Sequence, residues 1–168
     1  RLTLGSQSHV VELASNDGYL LQYVQQRGIP CLGIEPTRAT AEAARSKGIP
    51  TLERFFGLEL AEKLDRADLV VANNVLAHVP DINDFLAGIA RLLKPTGLAS
   101  IECPHLLRLL QGNQFDTIYH EHYSYLSLQV VQRMAATAGL VVVDVEELST
   151  HGGSLRLWLA PQVAGREP

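Results

Sequence analysis

The sequence has little of what marks several common classes of protein. Only two of its 168 residues are cysteines, which cannot by themselves build a structural zinc site and are expected to be buried, unpaired thiols. No apolar run is long enough to cross a bilayer, and Arg1 to Gly5 lack the layout of a signal peptide. There is no basic block, and the net charge is −4. These absences argue against a membrane-spanning or nucleic-acid-binding chain and favour a cytoplasmic protein.

The sequence also lacks the glycines of a dinucleotide-binding turn. Val10 to Leu21, read VVELASNDGYLL, predicts a short apolar strand, a turn of small residues and the start of a helix. This order begins a doubly wound α/β sheet, in which ligands bind at the carboxyl ends of the strands. In the pattern G-x-G-x-x-G, the first two glycine positions are Ala14 and Asn16, so NAD binding is weakly supported. A pyrophosphate needs cationic partners, and this turn carries Asp17 instead, which favours a neutral or cationic ligand over a dinucleotide. A plain turn with no ligand is the alternative.

The rest of the chain alternates strands and helices in the same way. Two helices end in Gly-Ile-Pro, at residues 28–30 and 48–50, because glycine takes the left-handed cap and proline blocks continuation. The last two strands have no helix between them and so predict an antiparallel pair at the sheet edge. Two of the predicted strands begin at Val10 and Thr51. The other five span Cys31 to Glu35, Asp68 to Ala72, Leu98 to Cys103, Val141 to Glu147 and Ser154 to Ala160. The predicted helices contain Leu20 to Val24, Ala39 to Lys47, Leu58 to Leu64, Ile82 to Leu93 and Ser127 to Ala138.

Candidate ligand-binding residues follow the predicted strands. Glu35 can accept hydrogen bonds from both hydroxyls of a ribose, although a strand-end acid can also simply be solvated. Asn73 and Asn74 follow a buried strand, where amide groups need partners and a ligand is one candidate. Phe55 and Phe56 are either core residues or a cover for an adenine ring. With the turn, these residues predict a nucleoside pocket.

A long connection, His105 to Tyr125, concentrates histidines and tyrosines. Connections of this length in a compact domain are usually functional. Its centre, Tyr119 to Tyr123, suits general acid–base catalysis because histidine titrates near neutral pH. Metal binding by His120, His122 and Glu121, with His105 as a fourth ligand, is one alternative, and a structural loop is another. In an extended backbone the two histidines point the same way and Glu121 points the opposite way.

These residues resemble S-adenosylmethionine-dependent C-methyltransferases that act on nucleotide-linked keto-deoxysugars. The matching strings are VVELASNDGYLL, GIEP, ADLVVANNVLAHVPD, LLKPTGLASIECPH, FDTIYHEHYSYLS and THGGSLR. The first and fourth strings are shared widely by class I methyltransferases, whereas FDTIYHEHYSYLS is more specific to the sugar enzymes. The resemblance implies a Rossmann-like class I methyltransferase fold, with a mostly parallel seven-stranded sheet and an antiparallel C-terminal strand pair. It also implies S-adenosyl-L-methionine as cofactor and a nucleotide sugar as the small-molecule substrate.

The resemblance further implies roles for particular residues. His122 is implied as the base that removes a proton α to the sugar ketone, and no metal is required. Its implied companions are Tyr119, Glu121 and His78, although His78 taken alone is equally a satisfied core histidine. The implied cofactor contacts are Ala14, Ser15, Asn16, Gly18, Glu35, Pro36, Phe55, Phe56, Asn73, Asn74 and Val75.

The sequence matches one part of these enzymes. They have a cysteine-rich zinc-binding region before this domain and another α/β region after it, and neither is found in residues 1–168. We therefore expect one cofactor-binding domain whose substrate binding and turnover depend on the missing parts more than cofactor binding does. An NAD-dependent sugar oxidoreductase and a non-catalytic cofactor-binding module stay open as alternatives. The C-terminal edge strands also predict a surface that can pair two chains as a homodimer.

Overall fold

The computed structural model describes residues 2–162, which form seven strands and six α-helices. The single-domain prediction spans residues 1–168, of which residue 1 and residues 163–168 lie outside the described part. The strands are β1 (Val10–Leu13), β2 (Cys31–Ile34), β3 (Thr51–Leu52), β4 (Ala67–Asn73), β5 (Leu93–Pro104), β6 (Leu140–Leu148) and β7 (Ser154–Pro161). The helices are α1 (Leu21–Gln25), α2 (Arg38–Ser46), α3 (Leu58–Ala61), α4 (Ile82–Leu92), α5 (Leu106–Gln111) and α6 (Leu128–Thr137).

All seven strands join one sheet, in the order β3-β2-β1-β4-β5-β7-β6. β1 lies between β2 and β4 and is parallel to both, whereas β7 is antiparallel to both β5 and β6. From β1, the strands β2 and β3 extend the sheet toward one edge, and the strands from β4 onward extend it toward the other edge. A crevice therefore opens at the carboxyl ends of β1 and β4, where such sheets bind ligands. The predicted mostly parallel sheet with an antiparallel C-terminal pair is confirmed.

Helices cover the two faces of the sheet. On one face, Leu21 of α1 and Ala44 of α2 pack with Val10 in a small cluster. On the other, α3, α4 and α6 contribute to the main core. Helix α4 buries an apolar stripe that consists of Phe85, Leu86, Ile89 and Leu92. Since these helices leave the carboxyl ends of the strands uncovered, the crevice stays open to ligands.

Local sequence signals set the ends of several helices. Asp81 caps α4, because its side chain accepts the amide of Asp84 at 3.0 Å. The two Gly-Ile-Pro stops also form as predicted: Gly28 and Gly48 have φ angles of 68° and 79°. This left-handed backbone ends each helix before the next strand begins.

Two segments differ from the prediction. β5 begins at Leu93 rather than Leu98, because Leu93 pairs with Ala67 of β4 across a register shift that local pattern does not reveal. Helix α5 forms within what was predicted as a connection. It packs Leu109 inward and leaves Leu107 and Leu110 exposed, so its leucines show no clear apolar stripe from which a helix could be predicted.

Other predictions concern the chain as a whole. Within the described residues, no helix has both the length and the apolar character needed to cross a membrane. Both cysteines are unpaired, as expected. Cys103 is buried, which raises the pKa of its thiol to about 12, whereas Cys31 is only half-buried. The cytoplasmic location and the homodimer stay predictions.

Candidate active site

Two neighbouring cavities open at the carboxyl ends of the strands. The large cavity has a volume of about 780 Å³ and extends from the turn after β1 to the residues after β4. The small cavity has a volume of about 240 Å³ and lies between the ends of β4 and β5 and residues 114–122. Asn74 and His78 line both cavities and so form their boundary. The large volume is typical of cofactor-sized ligands, and the small one lies below the roughly 300 Å³ at which drug-sized sites begin.

The turn after β1 adopts glycine-like backbone conformations without glycine. Ala14 and Asn16 have φ angles of 54° and 51°, at the two positions where the dinucleotide pattern has glycines. Both residues line the large cavity. Left-handed backbone at residues other than glycine is costly and concentrates at functional sites. The turn therefore brings its backbone close to a ligand even though the glycines are absent.

Three residues of this turn face away from the large cavity. Ser15 is fully buried over Gly33 of β2, and Gly18 packs against Ile49. Neither lines the cavity, so the structure does not place them where cofactor contacts were predicted. Asp17 pairs with Lys47 at 2.5 Å, and this hydrogen bond lowers the pKa of the Asp17 carboxyl. Asp17 was the reason for expecting a neutral or cationic ligand, and its carboxylate pairs with Lys47 outside the large cavity.

Glu35 is buried and fixed by backbone on both sides. Glu35 is 5% exposed and lines the large cavity. Oε2 accepts the amide of Asn16 at 3.1 Å, and Oε1 accepts the amide of Thr37 at 2.8 Å. Because each carboxylate oxygen has two lone pairs, both can accept another hydrogen bond. Glu35 is thus preorganised to accept from a pair of hydroxyl groups, and Pro36 beside it completes that wall.

The two phenylalanines after β3 have different surroundings, although both line the large cavity. Phe56 packs edge-on against Phe85, with ring centroids 5.4 Å apart, and joins the main core. Phe55 is 85% exposed. An exposed aromatic ring gains most from covering an apolar or aromatic surface. Phe55 is therefore free to cover a ligand ring, whereas Phe56 is held by the core.

The last residue of β4 and the two residues after it line the large cavity with polar groups. Asn73, Asn74 and Val75 all contribute to its wall. Asn74 has a φ angle of 53°, and its Oδ1 is buried with no hydrogen-bond partner among the described residues. An unpaired buried acceptor costs about 1–3 kcal/mol, which a donating ligand would recover. Of these three residues, Asn74 therefore has the clearest need for a ligand that donates a hydrogen bond.

The small cavity contains a hydrogen-bonded histidine and tyrosine. His122 Nδ1 lies 2.8 Å from the carbonyl oxygen of Thr117, and Nε2 lies 3.1 Å from the hydroxyl of Tyr119. Because a carbonyl oxygen only accepts, Nδ1 carries the proton, and in the neutral ring Nε2 accepts from Tyr119. The His78 ring lies 4.6 Å from the His122 ring, centroid to centroid. The structure thus brings together three of the predicted catalytic residues, with a basic nitrogen beside the boundary of the cavities.

The residues of the alternative metal site point in different directions. The His120 side chain is 89% exposed, and its Nε2 lies 3.9 Å from Glu121 Oε1. Glu121 lines the large cavity, whereas His105 and His122 line the small one. The segment forms a turn rather than the extended backbone assumed from the sequence. Across residues 2–162, no group of three or more His, Cys, Asp or Glu side chains is arranged to hold a metal ion.

Many lining residues were not predicted. In the large cavity they are Leu13, Ile34, Thr37, Arg54, Val79, Pro80, Asp81, Asp84 and Phe85. In the small cavity they are Pro104, His105, Leu109, Gln114, Asp116, Thr117, His151 and Gly153. Most lie within the sequence strings that carry the resemblance, so these strings located the right loops. The sequence suggested His105 only as a metal ligand. His151 lies in the string THGG, which did not predict a role for it.

The sheet order with one reversed strand, and the cavities at the point where the topology switches, define a class I methyltransferase fold. Residues 1–145 match a family model described as a methyltransferase domain. A methyltransferase structure from Mesorhizobium loti, described as S-adenosylmethionine-dependent, aligns with a TM-score of 0.74 at 14% identity, over 94% of this chain and 93% of that one. Magnesium protoporphyrin IX methyltransferase from Synechocystis PCC 6803 with bound S-adenosylhomocysteine aligns with a TM-score of 0.72 at 15% identity, over 92% and 74%. The chain therefore belongs to the S-adenosylmethionine-dependent methyltransferase family, as its motifs predicted.

A curated relative is more similar in sequence. The chain is 40% identical over 171 residues to the C-methyltransferase NovU of Streptomyces niveus, covering 99% of this chain. It spans only 41% of the length of that protein. The similarity therefore concerns one part of a longer enzyme.

Proposed function

We propose that this chain is the catalytic domain of a C-methyltransferase. In this proposal S-adenosylmethionine binds in the large cavity and a nucleotide-linked keto-deoxysugar places its sugar ring in the small one. Two findings support it: the similarity to a C-methyltransferase and the meeting of the two cavities at Asn74 and His78. The observation that carries the proposal is His122, whose Nε2 is a basic nitrogen beside that boundary. The alternative of an NAD-dependent oxidoreductase finds no support in the family match.

The large cavity has groups that suit each part of the cofactor. Glu35 accepts from the ribose hydroxyls, and Phe55 covers the adenine, with Pro36 and Phe56 behind them. Ala14 and Asn16 bring turn backbone against the ligand, and Asn73, Asn74 and Val75 line its methionine end. Bound there, S-adenosylmethionine supplies an electrophilic methyl group on its sulfonium.

The task of the protein side chains is to generate a carbon nucleophile. His122 Nε2 takes the proton from the carbon α to the ketone, and the electron pair of that C–H bond forms an enolate. Tyr119, whose hydroxyl donates to Nε2 in this structure, then donates to the enolate oxygen. His78, against the His122 ring, supports the same oxygen, and Glu121 acts on it from the large cavity, either protonated or through water. Asn74 and His78 hold cofactor and acceptor in a fixed relation, which lowers the entropic part of the barrier.

The test is exchange of the α proton with solvent. The full chain is incubated in D₂O with S-adenosylhomocysteine and thymidine diphosphate 4-keto-6-deoxyglucose, and deuterium at the α carbons is measured by mass spectrometry and NMR. We expect exchange above the buffer rate and a loss of about 10²-fold or more in His122→Ala. His120→Ala is the matched control, because this neighbouring histidine is exposed and lines neither cavity.

The outcomes separate the alternatives. Binding of S-adenosylhomocysteine without any exchange would make the chain a non-catalytic cofactor-binding module. Equal exchange in wild type and His122→Ala would place the base at another residue. Loss of exchange in His120→Ala as well would point to a general disturbance of the loop.

A further inference from the structure

The small cavity contains a buried histidine that the proposed proton transfer does not use. His105 follows β5 directly and is 7% exposed. Its Nδ1 has no hydrogen-bond partner within residues 2–162. An unpaired buried polar atom costs about 1–3 kcal/mol, so native structures rarely leave one without a ligand, a water or a catalytic role. His105 also lines the small cavity, so a ligand bound there lies against its ring.

The His105 backbone is held firmly. Its amide donates to the carbonyl of Gly153 at 3.0 Å, and its carbonyl accepts the amide of Leu109 at 3.1 Å. The turn that supplies Gly153 has three successive residues with positive φ, at 51°, 76° and 123° from His151 onward. The Gln114 side chain donates to the carbonyl of Gly152 at 2.8 Å and fixes this turn. The backbone of His105 is therefore preorganised, and a ligand loses little free energy in ordering it.

The other walls of the cavity indicate the chemistry of the ligand. Asn74 presents a second unpaired buried atom, its Oδ1, which accepts hydrogen bonds. Pro104 and Leu109 add apolar surface. A ligand with hydroxyl groups and apolar carbon on one small ring satisfies both kinds of wall, and a monosaccharide has this composition. The volume of about 240 Å³ holds one such ring and leaves the nucleoside diphosphate outside.

We infer that His105 is a specificity-determining residue of the acceptor site, and that its Nδ1 hydrogen-bonds a ring hydroxyl of the sugar. The inference rests on the proposed function, since it needs a sugar ring in the small cavity. An acceptor without oxygen at that position leaves the nitrogen buried and unpaired, and the site rejects it. His105 thereby selects the acceptor, and His122 removes the proton.

Three substitutions test the contact. His105→Leu removes the ring nitrogens, His105→Asn keeps a polar atom near the position of Nδ1, and His105→Gln keeps one near Nε2. Binding of thymidine diphosphate 4-keto-6-deoxyglucose is measured by titration calorimetry with saturating S-adenosylhomocysteine. We expect roughly ten- to a hundredfold weaker binding in His105→Leu and His105→Gln, and substantial recovery in His105→Asn. The affinity for S-adenosylhomocysteine, measured separately, should be the same in all three.

Each possible result supports or contradicts the role inferred for His105. Wild type that binds S-adenosylhomocysteine but not the ketosugar would overturn the proposed function and this inference with it. Wild type that binds the ketosugar no better than the three variants would overturn the inference alone. If His105→Leu loses S-adenosylhomocysteine binding, it is misfolded, and the comparison of His105→Asn with His105→Gln decides. Slower α-proton exchange at unchanged ketosugar affinity would make His105 a participant in proton transfer and contradict a binding role.

Discussion

Glu12 is a carboxyl group buried in the sheet beside the site. It is 2% exposed, and its Oε2 has no hydrogen-bond partner among residues 2–162. Burial disfavours the charged form and raises the pKa of Glu12 to about 8. Burial together with the Glu12 charge also raises the pKa of Cys31. The residue is therefore protonated at neutral pH, when the protein is folded.

We expect Glu12 to make the protein less stable as the pH rises. Its pKa rises from 4.5 to about 8 on folding, so the folded state binds this proton more tightly. The resulting stabilisation is fully present below pH 4.5 and is lost as the pH rises through about 8, a total of about 4 to 5 kcal/mol. Urea unfolding at several pH values between these limits measures the slope.

The variant Glu12→Gln shows whether Glu12 causes this dependence of the unfolding free energy on pH. The substitution removes the titrating group and keeps the shape of the side chain, so the contribution of Glu12 disappears from the difference between the two proteins. If wild type and Glu12→Gln show the same dependence of unfolding free energy on pH, other groups cause it.

At the scale of elements, the turn between β1 and α1 achieves its shape with unexpected residues. Ala14 has a φ angle of 54° and Gly18 one of 76°. Gly18 has the residue type that this backbone favours, and Ala14 does not. A Cβ at Gly18 would lie 3.0 Å from Cγ1 of Ile49, which is itself 1% exposed and has no room to move. The left-handed backbone of this turn therefore forms even where the residue is not glycine.

Exchanging the residue types in this turn should change stability in opposite directions. Ala14→Gly relieves a left-handed strain of about 1–2 kcal/mol but adds freedom to the unfolded chain, for a net gain of about 0.5–1 kcal/mol. Gly18→Ala adds that strain and the contact with Ile49, and should cost about 2 kcal/mol or more. Urea unfolding measures both changes. Destabilisation by Ala14→Gly would show that the Ala14 methyl group packs usefully enough to outweigh its strain.

At the scale of the whole molecule, the large cavity draws its walls from segments far apart in the sequence. They include the turn at Ala14, the end of β2 at Glu35, the residues after β4 and Glu121. A ligand that contacts all of them binds the folded chain and not the unfolded one. Its binding free energy therefore adds to the stability of the entire fold.

S-adenosylhomocysteine should raise the melting temperature, and NADH should not. At a hundred times its dissociation constant, the ligand adds about 2.7 kcal/mol, or about 5 to 10 °C for a domain of this size. Glu35→Ala should reduce the shift at the same ligand concentration, because the ribose loses its acceptor. Glu42→Ala is the control, since this carboxylate pairs with Arg38 on the exposed side of α2. An equal shift with NADH would favour the oxidoreductase alternative.

The sequence by itself determined the features that depend on neighbouring residues. Gly28 and Gly48 stop their helices, Asp81 caps α4, and the apolar runs give all seven strands. These signals are local, because backbone conformation, capping and hydrophobic periodicity act over a few residues. They were enough to place Glu35, Asn73 and Asn74 at the carboxyl ends of their strands, and so at the cavity.

Only the tertiary structure decided which side chains meet. It separated Phe55 from its core neighbour Phe56, packed the edge of one ring of the His78 and His122 pair against the other, and turned Ser15 away from the cavity. It also formed α5 and placed His105 in the small cavity. These outcomes depend on packing between segments far apart in the chain. A local pattern carries no information about the distance between two such segments once the sheet has brought them together.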